Sequence, residues 1–239
     1  MPDTRITKQR LKDHWSYSGK AYIIGALIAV ALASMFFTMV TNREPADKYS
    51  VNFAIVRSYS NAEALDGVTD ALLIKGREAD SELKAVKFTS IMFEGDMSTS
   101  DAYNYYQLYI LQLSAGGNDF FLQNETMTRS LIDNGSLRPL EQLEYFEQFV
   151  RNHPEAEILW EKGPLPEGVE ETEENSDRAE HAYAVSMEGL TGAIQLNSFD
   201  NRGMWAGMLV SSANPETSLV VLDELYDQLK PAEPEQTQE

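Results

Sequence analysis

The sequence predicts an α/β domain, with a mostly parallel or mixed sheet covered by helices, preceded by one membrane-spanning helix. Three observations carry this expectation. Short apolar, β-branched runs alternate with helical stripes from residue 50 onward. One stretch, Ala21–Thr41, runs 21 residues without a charge. The residues before that stretch are short and basic, and those after it are long and acidic.

Ala21–Thr41 (AYIIGALIAVALASMFFTMVT) is long enough as a helix to cross about 30 Å of hydrocarbon. Residues 1–20 carry a net charge of +3, and the remainder carries −22. That asymmetry places a basic head in the cytoplasm and the large domain outside the cell membrane. Trp15, Tyr17 and Tyr22 sit at the membrane entry, where amphipathic rings favour the interface. Ala31-Leu32-Ala33 has the form of a signal cleavage site. Cleavage there would leave an apolar mature N-terminus from Ser34, so a retained signal anchor is the preferred reading.

Beyond the span, residues 42–49 form a linker. Ser50–Val56 (SVNFAIV) is a buried strand. Asn61 can cap a helix over Ala62–Lys75, with Leu65, Val68, Thr69, Leu72 and Leu73 as its stripe and Gly76 as its stop. Leu83–Phe93 is the second strand and Asp101–Ser114 the next helix. Asp119–Gln123, a helix over Glu125–Asn134 and a helix over Glu141–Asn152 follow. Ile158–Trp160 reads as a short edge strand. Residues 163–178 are rich in Pro, Gly and acid, and read as a solvated loop. His181–Val185 and Met204–Ser211 are strand candidates, Gly189–Asn197 has no clear pattern, and Pro215–Leu229 is a helix with Pro in its first turn. Residues 50–230 thus make one extracytoplasmic domain, and 231–239 a disordered tail.

Composition excludes several functions. The chain has no cysteine, which rules out disulfides, thiolate metal sites, a cysteine nucleophile and a lipidated cysteine anchor. A domain at −22 repels phosphates, so nucleic acid and anionic lipid headgroups are not expected partners. No G-x-S-x-G, G-x-G-x-x-G or G-x-x-x-x-G-K-[ST] occurs, so neither a serine hydrolase nor a nucleotide site has support. The histidines are His14, His153 and His181. Asp96-x-Ser98-x-Ser100 has oxygen-ligand spacing, but Asp101 stands where a calcium loop needs glycine and Gln107 where it needs glutamate. Glu167, Glu170, Glu171, Glu173, Glu174 and Asp177 read as a solvated acidic run. No catalytic residue, metal or cofactor is expected. Asn124-Glu125-Thr126 and Asn134-Gly135-Ser136 match the glycosylation sequon, a pattern frequent by chance.

In open α/β sheets ligands bind beyond the C-terminal strand ends, so Arg57, Ser58, Tyr59 and Asn61 are the candidate ligand-binding residues, with Trp205 as a core residue or site rim. Tyr103, Tyr105, Tyr106 and Tyr109 form a tyrosine cluster, either packed on the sheet or exposed as an aromatic patch for a partner.

Three stretches resemble the first lobe of bacterial extracellular solute-binding proteins. The first is the helix Tyr103–Ser114, followed by Ala115-Gly116-Gly117-Asn118-Asp119-Phe120-Phe121-Leu122. The second is the helix that runs into Leu131-Ile132-Asp133-Asn134-Gly135-Ser136-Leu137-Arg138-Pro139-Leu140. The third is Gly207-Met208-Leu209-Val210-Ser211-Ser212-Ala213-Asn214-Pro215-Glu216 with the helix Leu219–Leu229. That family carries a large second lobe, with its ligand between the lobes. Here only about 60 residues (Glu141–Phe199) lie between the matching parts, too few for a second lobe with its own core. The resemblance implies a single binding-protein-like lobe, serving as an accessory or interaction domain of the bacterial envelope. The alternative is a solute receptor with a reduced cleft, feeding a transporter or sensor.

Overall fold

The computed structural model describes residues 47–93, 95, 100–165 and 177–230, with the isolated positions 8, 9, 12 and 28. The chain divides into two units, Met1–Glu44 and Pro45–Glu239. Among the described residues no helix is long and apolar enough to cross a membrane. The expected span at 21–41 lies outside them, apart from Ile28, as do most of the basic head, residues 42–46 of the linker, the acidic run at 166–176 and the tail.

The second unit is α/β, with one six-stranded mixed sheet. Its strands are β1 (Ser50–Val56), β2 (Ala85–Ile91), β3 (Phe120–Asn124), β4 (Ile158–Lys162), β5 (Glu180–Ser186) and β6 (Met204–Met208). Their spatial order is β2-β1-β3-β6-β5-β4. β1 pairs in parallel with β2 and β3, whereas β3–β6, β6–β5 and β5–β4 are antiparallel. The helices are α1 (Asp66–Ala79), α2 (Ser100–Ala115), α3 (Glu125–Asp133), α4 (Phe146–Asn152) and α5 (Pro215–Leu229), with a single helical turn at Gly192–Gln195.

Alternation along β1 sends Val51, Phe53 and Ile55 into one core and Ala54 and Val56 into another. The first core holds Leu72 of α1, Phe146 and Phe149 of α4, and Leu219, Leu222 and Leu225 of α5. Phe53 stacks between Phe88 and Phe120, at ring-centroid distances of 5.1 and 5.3 Å, across the three parallel strands. The second core, on the opposite face, holds Tyr109 of α2 and Met127, Leu131 and Ile132 of α3. Helices therefore cover both faces of the sheet.

Four expectations are corrected by the structure. The helix expected over Ala62–Lys75 is a 3-10 turn (Ala62–Leu65) followed by α1. Asn61 makes no side-chain cap; its backbone N–H donates to the Ser198 carbonyl at 2.6 Å, while the next N–H, at Ala62, is taken by Ser90 Oγ at 3.1 Å. Gly76 does not stop the helix but lies buried inside it, because α1 and α5 approach closely there: a Cβ at Gly76 would stand 2.8 Å from Val221 Cγ2. Finally, Glu141–Asn152 is not one helix. A 3-10 turn at Leu140–Gln142 ends at extended Leu143, and α4 begins only at Phe146. Glu141 is drawn across to β5, where its carboxylate meets His181 Nδ1 at 2.5 Å and the Ala182 N–H at 3.0 Å.

The Asn-Pro-Glu segment before α5 is a structural clamp. Asn214 Nδ2 donates to the Lys48 carbonyl at 2.7 Å, Pro215 opens the helix, and Glu216 accepts the Glu144 and Tyr145 N–H groups at 3.0 and 3.2 Å. Asp119, at the entry to β3, works the same way on the sheet. Its carboxylate accepts the Asn52 N–H at 2.8 Å and the Ser212 hydroxyl at 2.5 Å, with all three residues buried.

Candidate functional site

Two surfaces of the domain carry recognition chemistry. The first is a crevice of about 470 Å³ beyond the C-terminal ends of the parallel strands, lined by Tyr59, Ile194, Asn197, Phe199, Asp200 and Arg202. β1 leads into one wall. The other wall is the segment running from the helical turn at Gly192–Gln195 to β6, which starts beside Asn124 at the end of β3. The walls are tied together by backbone and side chain: Ser60 bridges Phe199, and the Arg57 guanidinium donates to the carbonyls of Asp200, at 2.9 Å, and of Arg202. Asn197 holds a left-handed conformation (φ 54°) and donates from Nδ2 to the Tyr59 hydroxyl at 3.2 Å across the crevice.

Asp200 and Arg202 form a forked ion pair, with Arg202 Nε 2.9 and 3.0 Å from the two carboxylate oxygens. Hydrogen bonds from the Arg202 side chain and backbone hold the Asp200 carboxyl down at about 2. The crevice thus presents an aromatic ring, two apolar side chains, an amide and a fixed pair of opposite charges. Apolar walls with a few oriented polar groups are the usual makeup of a small-molecule site.

Of the residues expected from sequence, Tyr59 lines this crevice and Arg57 braces it. Ser58 lies exposed in the same loop, and Asn61 contributes its backbone N–H. Trp205 is not brought to the crevice: it is buried on β6 opposite Gln123, within the second core. Ile194, Asn197, Phe199 and Asp200 were not anticipated. The signal that could have pointed to them is the turn-rich run Asn197-Ser198-Phe199-Asp200-Asn201-Arg202-Gly203, which delivers the chain to the start of β6, beside the C-terminal ends of the parallel strands.

The chain matches no family model, no curated protein and no solved structure.

The second surface is the outer side of α2. The four tyrosines of this helix do not share one face. Tyr109 is buried, packs edge-on against Phe121 at 5.6 Å and donates to Gln123 Oε1 at 3.2 Å. Burial pushes its phenol up to about 12. Tyr105 and Tyr106 pack half-buried against the second core, and Tyr103 is 55% exposed. Outward from them, Tyr103, Tyr106, Gln107, Ile110, Leu111 and Ser114 line a shallow hollow of about 430 Å³. Leu111 is 63% exposed, and Leu108 and Ile110 also face solvent. Among the described residues no cluster of His, Asp and Glu could hold a metal ion.

Proposed function

We propose that this chain is a non-enzymatic, membrane-anchored module of the bacterial envelope that works through protein contact. Residues 21–41 hold it in the cell membrane, with residues 1–20 in the cytoplasm and the domain at 50–230 outside. The carrying observation is the outer face of α2, where large apolar side chains stand in solvent on a strongly acidic chain. A surface helix normally turns a polar face outward, and a contiguous apolar patch marks a contact. The uncharged stretch, the basic head and the resemblance to one lobe of solute-binding proteins support the location and the non-catalytic role. The test is purification of the full chain from membranes. Wild type is expected to bring down a specific envelope protein, and Leu111→Glu to lose it while melting at an unchanged temperature. Recovery of no specific protein by wild type would count against the reading.

The crevice favours a second reading, a solute receptor with a reduced cleft serving a transporter or sensor. It predicts a dose-dependent rise in the melting temperature of the full chain in detergent with one of a panel of sugars, amino acids, peptides or metal ions. A ligand at a hundred times its dissociation constant stabilises by about 2.7 kcal/mol. Tyr59→Ala should abolish the rise without unfolding the domain, since Tyr59 is 53% exposed. A flat response over the panel would remove this reading.

A further inference from the structure

We infer that residues 231–235 of this chain dock in the crevice, so that the site carries an occupant of its own which any outside solute has to displace. The inference rests on the crevice being a binding site, as in the second reading above, and needs no particular solute.

Position comes first. α5 ends at Leu229 against the helical turn that forms one wall: a Cβ at Gly192 would stand 2.8 Å from the Leu229 carbonyl oxygen. Ile194, two residues further along that turn, lines the crevice and is 52% exposed. Lys230 leaves the helix at φ −58° and ψ 148°, close to the dihedrals of an extended polyproline chain. Its ammonium is held by Glu155 and Asp227 at 3.1 and 3.3 Å, which fixes the point of departure. At about 3.1 Å per residue, residues 231–236 reach about 19 Å from there. That is enough to pass Ile194 and meet the opposite wall, because Asn197 and Tyr59 already touch across the crevice at 3.2 Å.

Chemistry agrees with position. The segment reads Pro231-Ala232-Glu233-Pro234-Glu235. Two prolines three apart favour an extended helix of three residues per turn, with both rings on one edge. Segments of the form Pro-x-x-Pro seat those rings on aromatic-lined grooves. Tyr59, Phe199 and Ile194 supply such a surface here. Glu233 and Glu235 stand on the other two edges, and their partner is Arg202, whose side chain is 80% exposed. Asp200 takes Nε and Nη2 of that guanidinium, so Nη1 is not part of the fork. Charge favours this place over the rest of the surface. Residues 231–239 carry three glutamates and no base, on a chain of net charge −19. The residues that line or brace the crevice bring two guanidiniums, Arg57 and Arg202, against one carboxylate, Asp200. An acidic segment repelled by the chain as a whole thus meets a local excess of positive charge. A short tether holds it at a local concentration of about 1 mM, so a contact too weak to form between separate molecules is populated.

The test uses the absence of native cysteine. In the full chain, Gln236→Cys is paired either with Ser58→Cys, exposed in the loop beside Tyr59, or with Glu155→Cys, exposed against Lys230. A segment that is merely tethered meets position 155 at least as often as position 58. Each variant is oxidised with diamide in detergent, and its rate is taken relative to that thiol's reaction with a small disulfide. The Ser58→Cys pair should close its intramolecular disulfide about tenfold faster than the Glu155→Cys pair. Glu233→Lys with Glu235→Lys should erase that lead, and so should added salt, because opposite charges hold the segment in place. Equal rates, or a lead that survives the charge reversal, overturn the inference. The melting-temperature panel of sugars, amino acids and peptides separates it from the receptor reading. With the segment docked, a solute that enters the crevice should raise the melting temperature more in the charge-reversed chain than in wild type. An equal rise in both chains, with equal disulfide rates, removes the docked segment and leaves the receptor standing. A flat panel beside a clear lead removes the receptor and leaves the docked segment.

Discussion

Asp223 is buried on α5, and its carboxylate takes donors from three residues of the preceding segment. Tyr145 Oη lies at 2.9 Å, Asn152 Nδ2 at 3.0 Å and His153 Nε2 at 2.8 Å. Burial alone would raise its carboxyl; the donors, His153 foremost, outweigh it and hold the group below the ordinary carboxylate range. Because the folded-state value is depressed, the stabilisation is present at neutral pH and is lost as pH falls through the carboxylate range toward that lower value. Asp223→Ala leaves the buried His153 ring and the half-buried Tyr145 hydroxyl without their acceptor, while the exposed Asn152 amide can turn to water, and should cost about 2 kcal/mol at neutral pH. Chemical denaturation at pH 7 and at pH 3 checks this: the gap between wild type and variant should narrow at the lower pH. An equal gap at both would show that the carboxylate charge contributes nothing. None of this was legible in the sequence. His153 could be noted there, but its partner lies 70 positions away and only the packing of α4 on α5 brings them together.

At the scale of the element, apolar spacing located the six strands and the five longer helices of the described residues, but not the helical turn at Gly192–Gln195, and the bounds of α5 were read to the residue. Two local signals misled, and both were overruled by neighbours far along the chain. Gly76 looked like a helix end; in the structure α1 continues past it and α5 fills the space a side chain would need. Gly76→Ala would gain about 1 kcal/mol of helix propensity on an isolated helix. Here the new methyl meets Leu83, which can turn aside, and Val221, whose branched side chain is stiff. Overpacking of this kind costs about 1–3 kcal/mol, so the variant should be no more stable than wild type, and on balance less. A lower urea midpoint with an unchanged slope would match; a higher midpoint would mean that the helices part without strain. Asn61 misled in the same way: it makes no side-chain cap, its own N–H goes to the Ser198 carbonyl and the following Ala62 N–H to Ser90 Oγ.

For the whole molecule, helices alternating with strands announced the α/β class but not the sheet order. The first three strands follow one another through helices and are parallel, as that alternation implies. The later three pair antiparallel, so β6 and β4 run against the first three strands and β5 runs with them, and no local residue says so; Gly207 on β6 leaves room for Leu137, whose Cδ1 would stand 2.8 Å from a Cβ there. The crevice was half legible for the same reason. The end of β1 is visible in the sequence as the end of an apolar run, whereas the wall facing it comes from a segment some 140 residues later, placed there by that antiparallel return.

The pairing of β3 with β6 sets an order on how the molecule can be made. Phe120 finds Met208 across 88 residues of chain, and α1 finds its cover only when α5 exists. Until the residues from Met204 to Lys230 leave the ribosome, β3 has a bare edge and the first core lacks Leu219, Leu222 and Leu225. Such a late-closing core makes folding slow, and shortened chains expose a strand edge that invites aggregation. The C-terminal helix thus acts as the lock that the ordering of everything before it awaits.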